Sequence, residues 1–269
     1  MIRQPAVAGR FYPDDPAELA ASIHEYTEPA QPRAKVIGAV IPHAGYIYSG
    51  PVAGAVYARI EIPQRCIVLC PNHTGMGAPL ALMKTGAWRT PLGNLAIDNE
   101  LATALMAADS YFQDDIAAHL SEHATEVQLP FLQELAGPDI RFVPITVGTG
   151  NWSRLEKLGQ AMATVIRQLG PDILMVASSD MNHYESDTIT RVKDRKAIDR
   201  MLALDARGLY DVVQQERISM CGYGPATAML VAAKELGALR AELVQYATSG
   251  EVSGDYDHVV GYAGITVSS

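Results

Sequence analysis

Cysteine is scarce in this 269-residue chain: three residues, an odd number with no zinc-type spacing. Cys66 and Cys70 bracket the apolar run Cys66-Ile67-Val68-Leu69-Cys70. As a strand this run holds their Cα atoms about 13 Å apart, beyond disulfide reach, so both read as small buried hydrophobes. Basic charge is also short, with 21 Lys+Arg against 30 Asp+Glu and a net charge of −9. That deficit argues against nucleic acid or an anionic membrane as a partner, since either needs a basic surface. No apolar run approaches the ~18 residues of a membrane helix. Met1-Ile2-Arg3-Gln4-Pro5 lacks the apolar stretch of a signal peptide, so a cytoplasmic protein is expected. Gly-x-x-x-x-Gly-Lys-Ser/Thr, Gly-x-Gly-x-x-Gly and Gly-x-Ser-x-Gly are all missing, which leaves nucleotide binding and a serine nucleophile without support.

What is present is a globular composition, 48% hydrophobic and 19% charged, on a chain long enough to bury a core without staples. Asp15-Pro16-Ala17-Glu18 announces a first helix: a capping Asp, Pro in the first turn and a following Glu. The loop Thr27 to Arg33, with Pro29 and Pro32, follows it. Beyond this loop apolar runs alternate with helical patterns. Strands are expected over Val36–Ile41, Cys66–Cys70, Phe142–Val147, Ile173–Ala177, Leu243–Tyr246 and Val259–Val267, with a weaker one over Leu80–Lys84. Helices are expected near Val52–Arg59, Asn99–Ala108, Glu122–Leu135, Trp152–Leu169, Thr188–Leu204 and Pro225–Leu236. In the fourth of these Trp152, Leu155, Leu158, Met162, Val165, Ile166 and Leu169 recur at threes and fours, as one buried face requires. Such alternation predicts one α/β domain over 1–269, a central, mostly parallel sheet with helices on both faces.

Ligands of such sheets bind beyond the carboxyl ends of the strands. The first long strand runs into Pro42-His43-Ala44-Gly45, with a helix expected to open at Ser49-Gly50, and the second into Pro71-Asn72-His73-Thr74-Gly75. The two histidines are 30 positions apart, the size of one βαβ unit, and converge if their strands are neighbours. A further strand delivers Ser178-Ser179-Asp180-Met181-Asn182-His183. Here Asp180 could orient an imidazole and His183 could act as a general base; Ser178, Ser179 and Asp180 could equally cap the next helix. Cys221 stands just before the helix led by Pro225, where a thiolate would be a metal ligand or nucleophile, though an inert buried thiol is the commoner case. His119-Leu120-Ser121-Glu122-His123 has the H-x-x-E-H form of a zinc peptidase. With Ser121 as helix cap, His119 falls outside that helix, and Pro130 disturbs it further. Glu122, His123 and Glu126 are therefore read as partners around the site, and His24 and His119 as surface residues.

Several of these segments together resemble one family. They are Pro5-Ala6-Val7-Ala8-Gly9-Arg10-Phe11-Tyr12-Pro13, Ile41 to Gly50, Pro71-Asn72-His73, Trp88 to Gly93, Glu122 to Phe131, Ser178 to Tyr184 and Cys221-Gly222. In this order they are similar to the Memo family, whose microbial members are called AmmeMemoRadiSam system protein B. The resemblance covers the chain to near residue 225. It implies the fold of class III (LigB-type) extradiol dioxygenases, in which two histidines and a carboxylate hold non-haem Fe(II). Carried over by motif, His43 and His73 become the histidine ligands and Cys221 takes the carboxylate's place. His183 takes the acid/base position, with Asp180 lining the site. The implied cofactor is Fe(II) or Cu, with Zn able to occupy the site in vitro. A thiolate in the ligand set favours Cu(I) as well as Fe(II) and is itself oxidisable. Two functions follow: a dioxygenase-like oxidoreductase, or a non-catalytic metal-handling or peptide-binding protein using the same pocket. The implied partners are a small aromatic or peptide ligand and, from the family name, radical-SAM and AMMECR-type proteins.

Overall fold

The computed structural model describes residues 1–28 and 32–269. Pro29 of the expected loop lies outside the described residues. The N-terminal half contains β1 (Ile2–Arg3), α1 (Pro16–Thr27), β2 (Gly38–Ile41), α2 (Tyr46–Tyr57), β3 (Arg65–Pro71), β4 (Leu80–Leu82), β5 (Ala87–Thr90), β6 (Gly93–Ile97), α3 (Asn99–Ala108), β7 (Gln113–Asp114), α4 (His123–Glu126) and α5 (Leu129–Ala136). The C-terminal half adds β8 (Arg141–Val147), α6 (Trp152–Leu169), β9 (Leu174–Ser178), β10 (His183–Glu185), α7 (Asp187–Leu202), α8 (Ala206–Gln215), α9 (Tyr223–Glu235), β11 (Arg240–Thr248), α10 (Gly250–Ser253) and β12 (Val259–Ser268).

Local chemistry explains many boundaries. Asp15 caps α1 through Ala17 N at 2.9 Å and Glu18 N at 3.0 Å, and Asn151 caps α6 through Arg154 N. The expected helix Glu122–Leu135 is in fact two, α4 and α5, and Pro130 sits in the first turn of the second, where it costs no hydrogen bond. The cap of α4 is Glu122, which accepts from Ala124 N; Ser121 does not cap it. The helix after His43 begins at Tyr46, ahead of Ser49.

Among the described residues one twelve-stranded sheet runs β1-β5-β6-β8-β3-β9-β2-β12-β10, with β11 on β12 and β4 joining β8 to β7. The centre β8-β3-β9-β2 is parallel. Beyond β2 the sheet turns antiparallel, β12 on β2 and β11 on β12, whereas on the other side β6 joins β8 in parallel. Side chains alternate between two cores, as a strand buried on both faces demands. Ile67 and Leu69 of β3 join Leu155, Leu158 and Met162 of α6 on one face. Cys66 and Val68 join Leu19, Ile23, Tyr57 and Phe131 on the other. The expected α/β architecture with helices on both faces is what the chain forms.

The central topology carries one correction. β2 and β3, which deliver His43 and His73, are not neighbours, because β9 lies between them. Ile41 pairs with Ser178 and Leu69 with Ala177. The two histidine-bearing ends thus stand about two strand spacings, roughly 9.6 Å, apart, and the end of β9 lies between and beneath them. No helix among the described residues is long and apolar enough to cross a membrane.

Candidate metal centre

His43 leaves the end of β2 into the interior, 1% exposed. Its backbone N–H donates to Asp180 Oδ1 at 2.7 Å, and Ala44 N does so at 3.3 Å. Asp180, just past β9, therefore fixes the turn after β2. Burial raises the Asp180 pKa, against the pull of these backbone donors. The imidazole of His43 has its pKa held well below the ordinary value, first by burial and then by the neighbouring His123, His73 and His183. A neutral ring results, the form a metal needs.

His73, past the end of β3, is held by one buried carboxylate. Glu122 Oε2 accepts from His73 N at 2.7 Å and Oε1 from the ring Nδ1–H at 2.8 Å. A carboxylate only accepts, so Nδ1 bears the proton and Nε2 the lone pair. Burial would raise the Glu122 pKa, but the hydrogen bonds from His73 and Ala124 outweigh it and leave Glu122 below the ordinary value.

His123 opens α4, beside Glu122, with its Nδ1 3.5 Å from Glu122 Oε1. Burial lowers its pKa to about 4. Its ring lies 4.7 Å from His73 and 5.4 Å from His43 between centroids, and His43 and His73 are 5.2 Å apart. His43, His73 and His123 each offer a ligand atom, and all three atoms lie within 4.8 Å of one another. The sequence places His123 around the site; the fold places it in the donor cluster itself. Two strand ends two places apart converge because His43 and His73 both lean over β9 and α4 closes the third side.

Cys221 approaches from the turn before α9. Its Sγ is 3.3 Å from His43 Nε2 and accepts from Asp180 N at 3.3 Å. It touches the cluster through His43 but stands outside the mutual 4.8 Å set. Burial, then the charge of Asp180, raises its thiol pKa, so without an ion it is a thiol. His183 is half-buried at the start of β10; its N accepts nothing and donates to Ser219 Oγ at 2.8 Å, while its ring Nδ1 faces Ser219 O at 2.9 Å. A carbonyl acceptor again puts the proton on Nδ1 and leaves Nε2 free to accept one.

The remaining expected surface histidines divide. His24 is exposed and pairs with Glu134 at 2.9 Å. His119 is fully buried, against expectation. Its carbonyl accepts from Arg3 Nε at 3.0 Å, its Nδ1 meets Thr146 Oγ1 at 3.0 Å, and its ring packs edge-on to Trp88. Nothing local in sequence marks these contacts, each more than twenty residues distant along the chain. Burial lowers its pKa to about 4, with the Arg3 charge adding to the effect.

The chain matches the family described as Memo-like protein over residues 3–266. A MEMO1 family protein of Methanopyrus kandleri is 46% identical over 278 residues, covering 98% of each chain. One from Methanothermobacter thermautotrophicus is 43% identical, covering 98% of this chain and 99% of its own. Another, from Pyrobaculum arsenaticum, is 45% identical with 98% of each covered. With the family matched over nearly its whole length and relatives this similar end to end, the chain belongs to the Memo family.

Proposed function

We propose that the chain is a metal-binding Memo protein whose ion is held by His43 and His73 with one further donor, in a pocket suited to non-haem iron or copper redox chemistry. The observation that carries this reading is the convergence of three imidazoles whose ligand atoms lie within 4.8 Å of one another, two of them hydrogen-bonded at Nδ1 to buried side-chain oxygens. The donors fit an ion. Nitrogens bound at about 2.1 Å to a tetrahedral centre stand about 3.4 Å apart, a small contraction of the cluster.

Cys221 and His123 are the two donors available for the third position, and they differ in softness. The thiolate suits Cu(I) and Fe(II), and the imidazole suits Zn, Cu or Fe. Cys221 is the reading that family resemblance favours, and its 3.3 Å contact with His43 Nε2 supports it. A bound Fe(II) or copper ion would supply the electron transfer that no side chain here offers. The chain's own groups would do the rest. His183 presents Nε2 as a proton acceptor, and Asp180 holds the His43 turn in place. On family resemblance, a small aromatic molecule or a peptide is the ligand class we assign to the pocket, with radical-SAM and AMMECR-type proteins as partners; the cytoplasm is the location we assign, independently of that resemblance.

A second reading, non-catalytic metal handling or peptide binding through the same pocket, is favoured by Cys221 standing where the dioxygenases have a carboxylate. One experiment separates the two. Protein purified without chelator or histidine tag is analysed for metal, then reconstituted anaerobically with Fe(II) and screened for oxygen uptake with catechols. Bound metal that is lost in His43→Ala, together with oxygen uptake, is expected of the enzyme. Stoichiometric metal with no uptake supports the binding protein. Absence of metal binding under all loading conditions overturns both the enzyme and the metal-handling protein.

A further inference from the structure

Beneath His43 lies Ser178, the last residue of β9, fully buried. Its Oγ has three partners: Ala124 O at 2.7 Å, Gln128 Nε2 at 2.8 Å and His43 Nδ1 at 2.9 Å. Which of them receives its single hydrogen decides the state of the imidazole. The orientation of Gln128 is settled by its other contacts. Nε2 also faces Pro42 O at 2.9 Å, a pure acceptor, and Oε1 accepts from Tyr57 Oη at 2.9 Å. Gln128 therefore presents a donor to Ser178. Ala124 O can only accept, so the Ser178 hydrogen goes to it. Both lone pairs of Oγ are then left to accept, one from Gln128 Nε2–H and the other from His43. His43 Nδ1 must carry the proton, and Nε2 must carry the lone pair, facing Cys221 Sγ.

We propose that Ser178, oriented by Gln128 and Tyr57, is a positioning residue that locks His43 as its Nδ1–H tautomer and turns Nε2 toward the donor cluster. A carboxylate performs this task for His73; a hydroxyl has no fixed polarity of its own, so here the surrounding amide and carbonyl impose it. Gln128 is able to do so because it stands at the break between α4 and α5, where its side chain turns inward beneath Pro42. The wrong tautomer would aim an N–H at the position of an ion. The consequence for metal rests on the metal-centre reading above, whereas the tautomer exists in the protein without any ion.

The test reads the tautomer first. Metal-free protein with ¹⁵N-labelled histidine is studied by long-range ¹H–¹⁵N NMR at pH 8. In the wild type, His43 is expected to show a protonated Nδ1 and a pyridine-like Nε2; a protonated Nε2, or averaged nitrogens, overturns the proposal without need of any variant. Ser178→Ala is expected to release the ring into the other tautomer or a mixture, and Ser178→Thr, which keeps a hydroxyl, to restore it. An unchanged spectrum in Ser178→Ala removes Ser178 from the role. Zn²⁺ titration of the same proteins is expected to show a 10–100-fold loss of affinity in Ser178→Ala, recovered in Ser178→Thr, and equal affinities count against the proposal. A wild type that holds the expected tautomer but binds no metal refutes the metal-centre reading and leaves the lock intact.

Discussion

Glu126 accepts more hydrogen bonds than any other side chain around the site, and they come from the far end of the chain. Its carboxylate pairs with buried Arg3 and takes Ala6 N at 2.8 Å, Val7 N at 3.0 Å and Tyr12 Oη at 2.6 Å. Arg3 in turn donates to His119 O and Glu122 O and lies over Trp88. The N-terminal segment is thus fastened to the stretch that supplies Glu122 and His123. Removing one partner of a buried ion pair strands the other charge. Glu126→Ala is expected to cost about 3–5 kcal/mol, read as a fall in the urea midpoint, and a change below 1 kcal/mol would show that Arg3 finds water. The positions of the candidate site residues were unevenly legible. His43, His73, Asp180, His183 and Cys221 could be picked out because strand ends and short motifs flag them, and the structure brings them to one end of the sheet. His123 closes the H-x-x-E-H motif and reads in sequence only as a partner around the site, and its place in the cluster depends on α4 folding back over β9. The third donor remains a residue-scale question that two variants answer. Cys221→Ser is expected to weaken Cu(I) binding by at least tenfold and Zn²⁺ binding less; His123→Ala is expected to spare Cu(I). Competition titrations measure both, and a Cu(I) affinity unchanged in Cys221→Ser would transfer the third position to His123.

Among the elements, β9 and the turn before α9 set the geometry. Gly222 lies so close to β9 that a Cβ there would meet Ser179 Cβ at 2.4 Å and the Ser178 carbonyl at 2.5 Å. That approach brings Cys221 to His43, and Gly222 N donates to Ser179 Oγ at 3.0 Å. Gly222→Ala is expected to push the turn outward, at about 1–3 kcal/mol for overpacking, and to open the Cys221–His43 contact. Lower thermal stability together with faster thiol labelling of Cys221 would show it; unchanged labelling would mean that β9 gives way instead. The long central strands and α6 were readable because unbroken apolar runs and threes-and-fours patterns are strong signals, and α1 because its capping Asp15 and Pro16 announce a helix start. β1, β5, β7 and β10 were not, since two to four residues carry no periodicity and these strands exist only through their partners. α8 was not anticipated: Leu209 and Val213 give it a buried face, but ten residues supply too few turns for the pattern to stand out. Strand order was invisible for a different reason: local sequence says which strands exist, whereas the insertion of β9 between β2 and β3 is decided by packing across more than one hundred residues.

At the scale of the whole molecule, an acidic chain of net charge −9 keeps most carboxylates in water but buries a few. Asp194 of α7 is the informative one, because it ties three parts of the fold together away from the histidine cluster. It accepts from Asn182 N before β10 at 2.9 Å and from Tyr246 Oη of β11 at 2.7 Å, and it packs against Gly261 of β12. Burial raises its pKa to about 7, more than the hydrogen bonds from Tyr246 and Asn182 lower it. The sign follows from linkage. An unfolded chain loses this proton near pH 4, while the folded chain keeps it until near pH 7. Between these values the native state binds the extra proton, so this group makes stability fall as pH rises, and its contribution is level above about pH 7. Glu122 acts in the opposite sense: its lowered pKa contributes stability above the ordinary carboxylate value that is lost as pH falls through the folded one. Total stability therefore need not show either slope, but a difference between two proteins isolates one of them. Asp194→Asn removes the titration while keeping the shape, so urea midpoints of variant and wild type are compared from pH 4.5 to 8. The variant is expected to gain steadily on the wild type up to about pH 7 and to hold a constant offset above it, whatever the size of that offset. A difference that does not change with pH would mean that Asp194 is ionised throughout in the folded protein, with water or a neighbouring cation reaching it between α7 and β11.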